Sequence, residues 1–123
     1  MKPLIYIAGP MSGKEDFNRA AFNAAAKALA AKGWQPINPV EIERVYPCVR
    51  EDGSVNGVRL GNLMEIERVF ARRAGAIYLL NGWERSKGAW GELEAFAENR
   101  FPRNIYLECN GVDGVPDVSG QGD

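Results

Sequence analysis

The residues best suited to chemistry lie in Ser86-Lys87-Gly88-Ala89-Trp90-Gly91-Glu92-Leu93-Glu94-Ala95. The apolar run Ala76-Ile77-Tyr78-Leu79-Leu80 and the turn-forming pair Asn81-Gly82 precede it, and a helical pattern follows. Strand, glycine-bearing loop and helix is how an α/β protein presents a reactive group at the carboxyl end of its sheet. The pattern places Glu92 early in a helix, where the positive end of the macrodipole favours an ionised carboxylate. Such a carboxylate, held in place, can act as nucleophile or base. Acidic residues are also common near helix starts, so position alone more often marks a residue that merely suits the dipole.

Composition narrows the chemistry. The 123-residue chain contains no histidine, which removes the Ser-His-Asp and Cys-His arrangements, the commonest metal ligand and the usual neutral-pH proton shuttle. Acid–base work falls to Asp, Glu, Tyr, Lys, Cys or the substrate itself. Cys48 and Cys109 are far apart and lack CxxC spacing, so they read as incidental reduced thiols rather than zinc ligands. No metal and no cofactor is expected. Fifteen basic against sixteen acidic residues give a net charge of −1, which argues for neither nucleic acid nor an anionic membrane as partner. No apolar run approaches the ~20 residues that span a bilayer, and Met1-Lys2-Pro3 does not open a signal peptide. A cytoplasmic protein is expected.

The elements that must position Glu92 follow in order. Leu4-Ile5-Tyr6-Ile7-Ala8 is a continuous apolar run, expected to be a buried parallel strand, and the loop Gly9-Pro10-Met11-Ser12-Gly13 follows it. A helix is expected from Glu15-Asp16-Phe17, with Phe17, Ala21, Ala24, Ala25, Ala28 and Leu29 at helical spacing and a stop at Lys32-Gly33. Trp34 to Pro39 reads as a short edge strand because of its two prolines, with Asn38-Pro39 turning at its carboxyl end. Val40 to Val58 is irregular, with a helical turn over Val40 to Val45, and is read as a lid or a surface excursion. Leu60, Leu63, Met64, Phe70, Ala71 and Ala74 mark a further helix. Glu67 lies either on the stripe of Met64 and Ala71 or at the edge of a neighbouring one through Leu63, Ile66 and Phe70. In the helix carrying Glu92, Ala89, Leu93, Phe96 and Ala97 can face the sheet. Phe101-Pro102-Arg103 ends that helix, and Asn104 to Glu108 reads as a fourth strand. The domain is placed at residues 1–109, with 110–123 a disordered tail or a short extra edge.

This alternation predicts an α/β fold, a small doubly wound parallel sheet of four to five strands with helices on both faces. Right-handed crossovers put the first strand in the middle. The ends of strands one and three then meet at the ligand-binding switch point, bringing Tyr6 and the loop Gly9–Gly13 beside Ser86–Glu92. The glycines match neither GxGxxG nor the P-loop, although Ser12, Lys14 and Ser86 with free backbone amides could bind one phosphate. Carboxylate chemistry at a glycosidic carbon needs no histidine. It needs a held carboxylate and a hydrogen-bonding neighbour, and Glu92 and Tyr6 could supply them.

Ile5-Tyr6-Ile7-Ala8-Gly9-Pro10-Met11-Ser12-Gly13, Phe22-Asn23, Ile37-Asn38-Pro39 and Leu80-Asn81-Gly82-Trp83-Glu84-Arg85-Ser86-Lys87-Gly88-Ala89 with Glu92 together resemble the nucleoside 2-deoxyribosyltransferase superfamily. The nearest branch is one common in bacteriophages and prophages, domain of unknown function 4406. The chain is also similar to the 2'-deoxynucleoside 5'-phosphate N-hydrolases. The resemblance implies that Glu92 is the nucleophile, Tyr6 its positioning partner and Glu67 the acid–base group, in place of an aspartate. It implies that Ser86 and the loop Gly9 to Gly13 contact a 5'-phosphate. Ser12 stands where the hydrolases carry arginine, which Lys14 or Arg85 could replace, and Gly75 stands where an aspartate is usual.

The expected function is cleavage or transfer of the N-glycosidic bond of a (deoxy)nucleoside or its 5'-monophosphate. The alternatives are a non-catalytic nucleotide-binding module and a small structural or regulatory protein. The expected catalytic residues are Glu92, Tyr6 and Glu67. Gly9, Pro10, Met11, Ser12, Gly13, Asn38, Trp83, Ser86 and Gly88 are the expected substrate-binding residues, with Trp83 and Trp90 able to stack on a base or to serve the core. The expected partner is a small-molecule nucleoside or nucleotide, with a homodimer or larger homo-oligomer implied by the resemblance.

Overall fold

A computed structural model describes residues 1–98 and 104–120. Its sheet is four-stranded and parallel throughout. The strands are β1 (Leu4–Ala8), β2 (Gln35–Ile37), β3 (Ala76–Leu79) and β4 (Ile105–Leu107), in the order β2-β1-β3-β4. The helices are α1 (Arg19–Ala31), α2 (Pro39–Val45), α3 (Gly57–Arg73) and α4 (Lys87–Ala97). This is the expected doubly wound α/β architecture. β1 lies between β2 and β3, and Tyr6 pairs with Ile77 and Ala8 with Leu79.

The alternation of side chains along β1 divides the core. Ile5 and Ile7 face a layer with Phe22, Ala25 and Leu29 of α1. Tyr6 and Ala8 face the opposite layer, with Ala71 of α3 and Ala89, Ala95 and Phe96 of α4. A central parallel strand covered on both faces has no solvent side, which is why β1 reads as an unbroken apolar run. β2 is an edge strand, as Pro36 requires, since proline has no N–H to give a second neighbour.

Several expectations are corrected. α1 begins at Arg19 rather than at Glu15. Residues Glu15–Asn18 form a short 3-10 turn in which Asp16, Phe17 and Asn18 all have positive φ, of 48°, 54° and 63°. Asp16 is held there by Arg19 at 2.6 Å, and Asn18 donates to the Pro10 carbonyl at 2.9 Å. The apolar line of α1 is accordingly Phe22, Ala25 and Leu29, while Phe17 is exposed beneath the Arg19 guanidinium. In α3, Leu63, Glu67 and Ala71 are buried and Phe70 is exposed, so Glu67 lies on the buried stripe. The expected helix end at Phe101-Pro102-Arg103 lies outside the described residues.

Residues 110–120 do not form a loose tail. Val115 and Val118 are buried in the layer of Ile5 and Leu29. Lys32 Nζ donates to the Val115 carbonyl at 2.7 Å, Trp34 Nε1 to the Pro116 carbonyl at 2.8 Å, and Val118 N to the Lys32 carbonyl at 2.7 Å. Gly33 makes this approach feasible. Its φ is +94°, and a Cβ there would lie 2.4 Å from the Ser119 backbone. The domain therefore extends past 109, to Val118 at least. Both cysteines are free, Cys48 buried and Cys109 exposed.

Candidate active site

The carboxyl ends of β1 and β3 open into a cavity of about 490 Å³. Two glycines let the loops that follow these strands pack together. A Cβ on Gly9 would lie 2.7 Å from Leu80 Cβ, and one on Gly82, whose φ is +88°, would lie 3.3 Å from Pro10 Cγ. The loop after β1 contributes Gly9, Pro10, Met11 and Ser12 to the cavity wall, Arg85 and Ser86 enter from just before α4, and Lys87 and Gly88 from its first turn. Phe22, Pro39, Leu60, Met64 and Ala89 form the apolar part. Glu67 enters from α3 and Glu92 from α4.

Ser86 starts α4. Its Oγ accepts a hydrogen bond from Ala89 N at 3.1 Å, an N-cap that turns the amino end of the helix toward the cavity. Glu92 stands in the second turn, 8 % exposed. The Tyr6 hydroxyl donates to Glu92 Oε2 at 2.5 Å. Tyr6 is fully buried and does not line the cavity itself; it grips the carboxylate from below.

Electrostatics correct one expectation. The macrodipole acts mainly within the first turn, and Glu92 lies beyond it. Burial pushes the Glu92 carboxyl well above the usual range, and repulsion from Glu67 adds to this; the Tyr6 hydrogen bond and the charge of Arg68 pull the other way. Burial raises Glu67 to about 7, with Glu43 of α2 contributing. Glu43 is itself paired with Arg19 at 3.1 Å. Burial, with the charges of Glu92 and Glu67, raises the Tyr6 phenol, which therefore stays a donor at neutral pH. Two buried carboxyls that repel one another titrate as a unit, and the pair holds a proton near neutrality. Tyr6 and Arg68 favour the charged form of Glu92 and Glu43 disfavours that of Glu67, but burial outweighs these charges, so both carboxyls are raised and share the proton.

Eight of the expected site residues line the cavity together: Gly9, Pro10, Met11, Ser12, Glu67, Ser86, Gly88 and Glu92. Three do not. Asn38 caps α2, accepting from Val40 N at 3.0 Å and donating to Asn23 Oδ1 at 3.0 Å, so its neighbour Pro39 lines the cavity instead. Trp83 packs on Trp90 with ring centroids 4.9 Å apart, and Trp90 Nε1 is taken by the Glu84 carbonyl; neither ring reaches the cavity. Gly13 supplies a turn with φ of +78° and stands outside the wall. The stretch Val40 to Val58, read as a lid or a surface excursion, lines no part of the cavity; it begins within α2. It holds a small antiparallel bridge, Val49 to Val55. Gly75 directly precedes β3, at the end of the strands opposite the site. Arg85 was foreseen as a phosphate partner. Lys87, Phe22, Leu60 and Met64 were not, because nothing in their local sequence separates a wall residue from a surface or core one.

Among the described residues, no three His, Cys, Asp or Glu side chains are grouped to hold a metal ion, and no helix is long and apolar enough to cross a membrane. No curated protein and no solved structure matches the chain. A family model matches residues 3–102, covering β1 to β3, both carboxylates and the loops around the cavity, and the chain belongs to that family, domain of unknown function DUF4406.

Proposed function

We propose that this domain breaks the N-glycosidic bond of a nucleoside or nucleoside 5'-monophosphate, passing the sugar to water or to a second base. The observation that carries the reading is the hydrogen bond from buried Tyr6 to Glu92 at the floor of a cavity that also holds Glu67. Glu92 attacks the anomeric carbon as the bond to the base breaks. The bonding pair leaves with the base, which takes the proton held on Glu67. The ionised Glu67 then accepts a proton from water, or from an incoming base, as that nucleophile displaces Glu92 and frees the sugar. The Tyr6 donor keeps one carboxylate oxygen oriented while the other attacks.

The cations Arg85 and Lys87 and the capped amino end of α4 all border the cavity. They supply the positive potential that a 5'-phosphate needs and offset the arginine missing at Ser12. The resemblance of Ser86 to the phosphate-contacting serine of the N-hydrolases supports the same choice of substrate.

The test is incubation with a panel of nucleosides and 5'-monophosphates, with free base followed by chromatography. Release that is lost in Glu92→Ala is the expected result. Release by Glu92→Ala at the parental rate overturns the mechanism. Binding without release from the parent points instead to a nucleotide-binding module.

A further inference from the structure

Helix α4 has a glycine, Gly91, in its interior, directly before Glu92. An interior glycine costs roughly 1 kcal/mol relative to alanine, so its presence calls for a physical reason. The missing side chain leaves room for Arg68 of α3. A Cβ at position 91 would lie 2.9 Å from Arg68 Nη2 and 3.1 Å from Nε. The guanidinium thus rests against α4 one residue from the buried carboxylate, and its Nη1 is tied to Glu65 at 2.7 Å.

The charged and titratable groups around Glu92 come from every element packed on it. Tyr6 approaches from β1, Glu67 and Arg68 from α3, and Arg85 and Lys87 border the shared cavity from the start of α4. Glu43 of α2 acts on Glu67. Burial and Glu67 oppose a charge on Glu92, while Tyr6 and Arg68 favour it.

We infer that Arg68 is a positioning residue for the working carboxylate, supplying the positive charge beside Glu92, and that position 91 is glycine so that this charge can lie against α4. The inference deepens the glycosidic reading, since it takes Glu92 as that reaction's nucleophile. Its test does not depend on turnover. The full chain, labelled with 13C-glutamate and carrying Glu67→Gln to uncouple the pair, is titrated by NMR, with the Glu92 signal assigned by its loss in Glu92→Gln. Arg68→Met is expected to raise the Glu92 midpoint by about 1 pH unit, and Arg68→Lys to return most of that shift. Gly91→Ala, which displaces the guanidinium while improving helix propensity, is expected to shift the midpoint upward as well. A midpoint unmoved in both Arg68→Met and Gly91→Ala overturns the inference. The two readings separate cleanly. No base release from the parent chain overturns the glycosidase reading alone, and an unmoved midpoint beside normal release overturns the role of Arg68 alone.

Discussion

The Tyr6 hydroxyl and the Glu92 carboxylate, 86 positions apart in sequence, meet at 2.5 Å beneath the cavity. Parallel pairing of β1 with β3 makes the meeting feasible, because it sets the loop after β1 beside the loop that begins α4. Tyr6→Phe keeps the ring in its packed layer and removes only the donor. A hydrogen bond to a charged group contributes about 1.5–3 kcal/mol, so base release is expected to slow by about 10- to 100-fold. Thermal unfolding and initial rates measured on the same preparation separate this from a loss of fold.

The pH dependence of stability has a definite sign. Glu67 is raised to about 7 in the folded protein, above the ~4.5 of a free glutamate. The folded chain therefore binds more protons than the unfolded chain between these values, and stability falls as pH rises through that window. The loss levels off above about 7 and amounts to about 3 kcal/mol for Glu67 alone. Glu92 shifts in the same direction and adds to the loss. Glu67→Gln is expected to make the profile shallower, leaving the part that burial of Glu92 causes. Urea unfolding at a series of pH values reads it directly, and a parent profile that is flat between pH 4.5 and 7 would contradict the raised carboxyls.

Ser86 combines two roles that substitution can separate. Its Oγ caps α4, so Ser86→Ala is expected to cost about 1 kcal/mol of stability. Ser86→Asp keeps a capping oxygen and is expected to restore stability, yet it adds a negative charge at the cavity rim. Its use of 5'-monophosphates should fall by at least about tenfold relative to free nucleosides, through like-charge repulsion. A ratio of monophosphate to nucleoside use unchanged from the parent in Ser86→Asp would remove the phosphate from the cavity.

The segment that covers β1 on the side away from the site is structural. Truncation after Asn110 removes Val115 and Val118 from the core and three hydrogen bonds at Lys32 and Trp34. Burying an apolar side chain of this size stabilises by about 1.5–3 kcal/mol, so the truncated chain should lose at least about 3 kcal/mol in urea unfolding. An unchanged midpoint would mean that the segment only rests on the surface.

The sheet was legible because its two inner strands, β1 and β3, are apolar runs that close at Gly9 and Asn81, and the switch-point rule then brings Tyr6 to Glu92. Residues whose roles depend on three-dimensional neighbours were not legible. Asn38 and Trp83 look like ligand-facing residues in sequence, but one closes the amino end of α2 and the other stacks on Trp90. Glu92 was found for an incomplete reason, since the dipole that suggested it is outweighed by burial and by Glu67. Val115 and Val118 were missed because two valines among Gly, Asp, Pro and Ser make no periodic pattern. Their partners, Ile5 and Leu29, lie in distant parts of the chain.

That last packing has a kinetic consequence. Helix α1 covers part of the Ile5 and Ile7 face, but the layer is closed only when Val115 and Val118, about a hundred positions downstream of β1, fold back onto it. Closing so long a loop comes late and costs chain entropy before any contact rewards it. Until then the part of that layer left open beside α1 remains a sticky surface, so crowding of partly folded chains should divert this protein toward aggregation more readily than its finished form suggests.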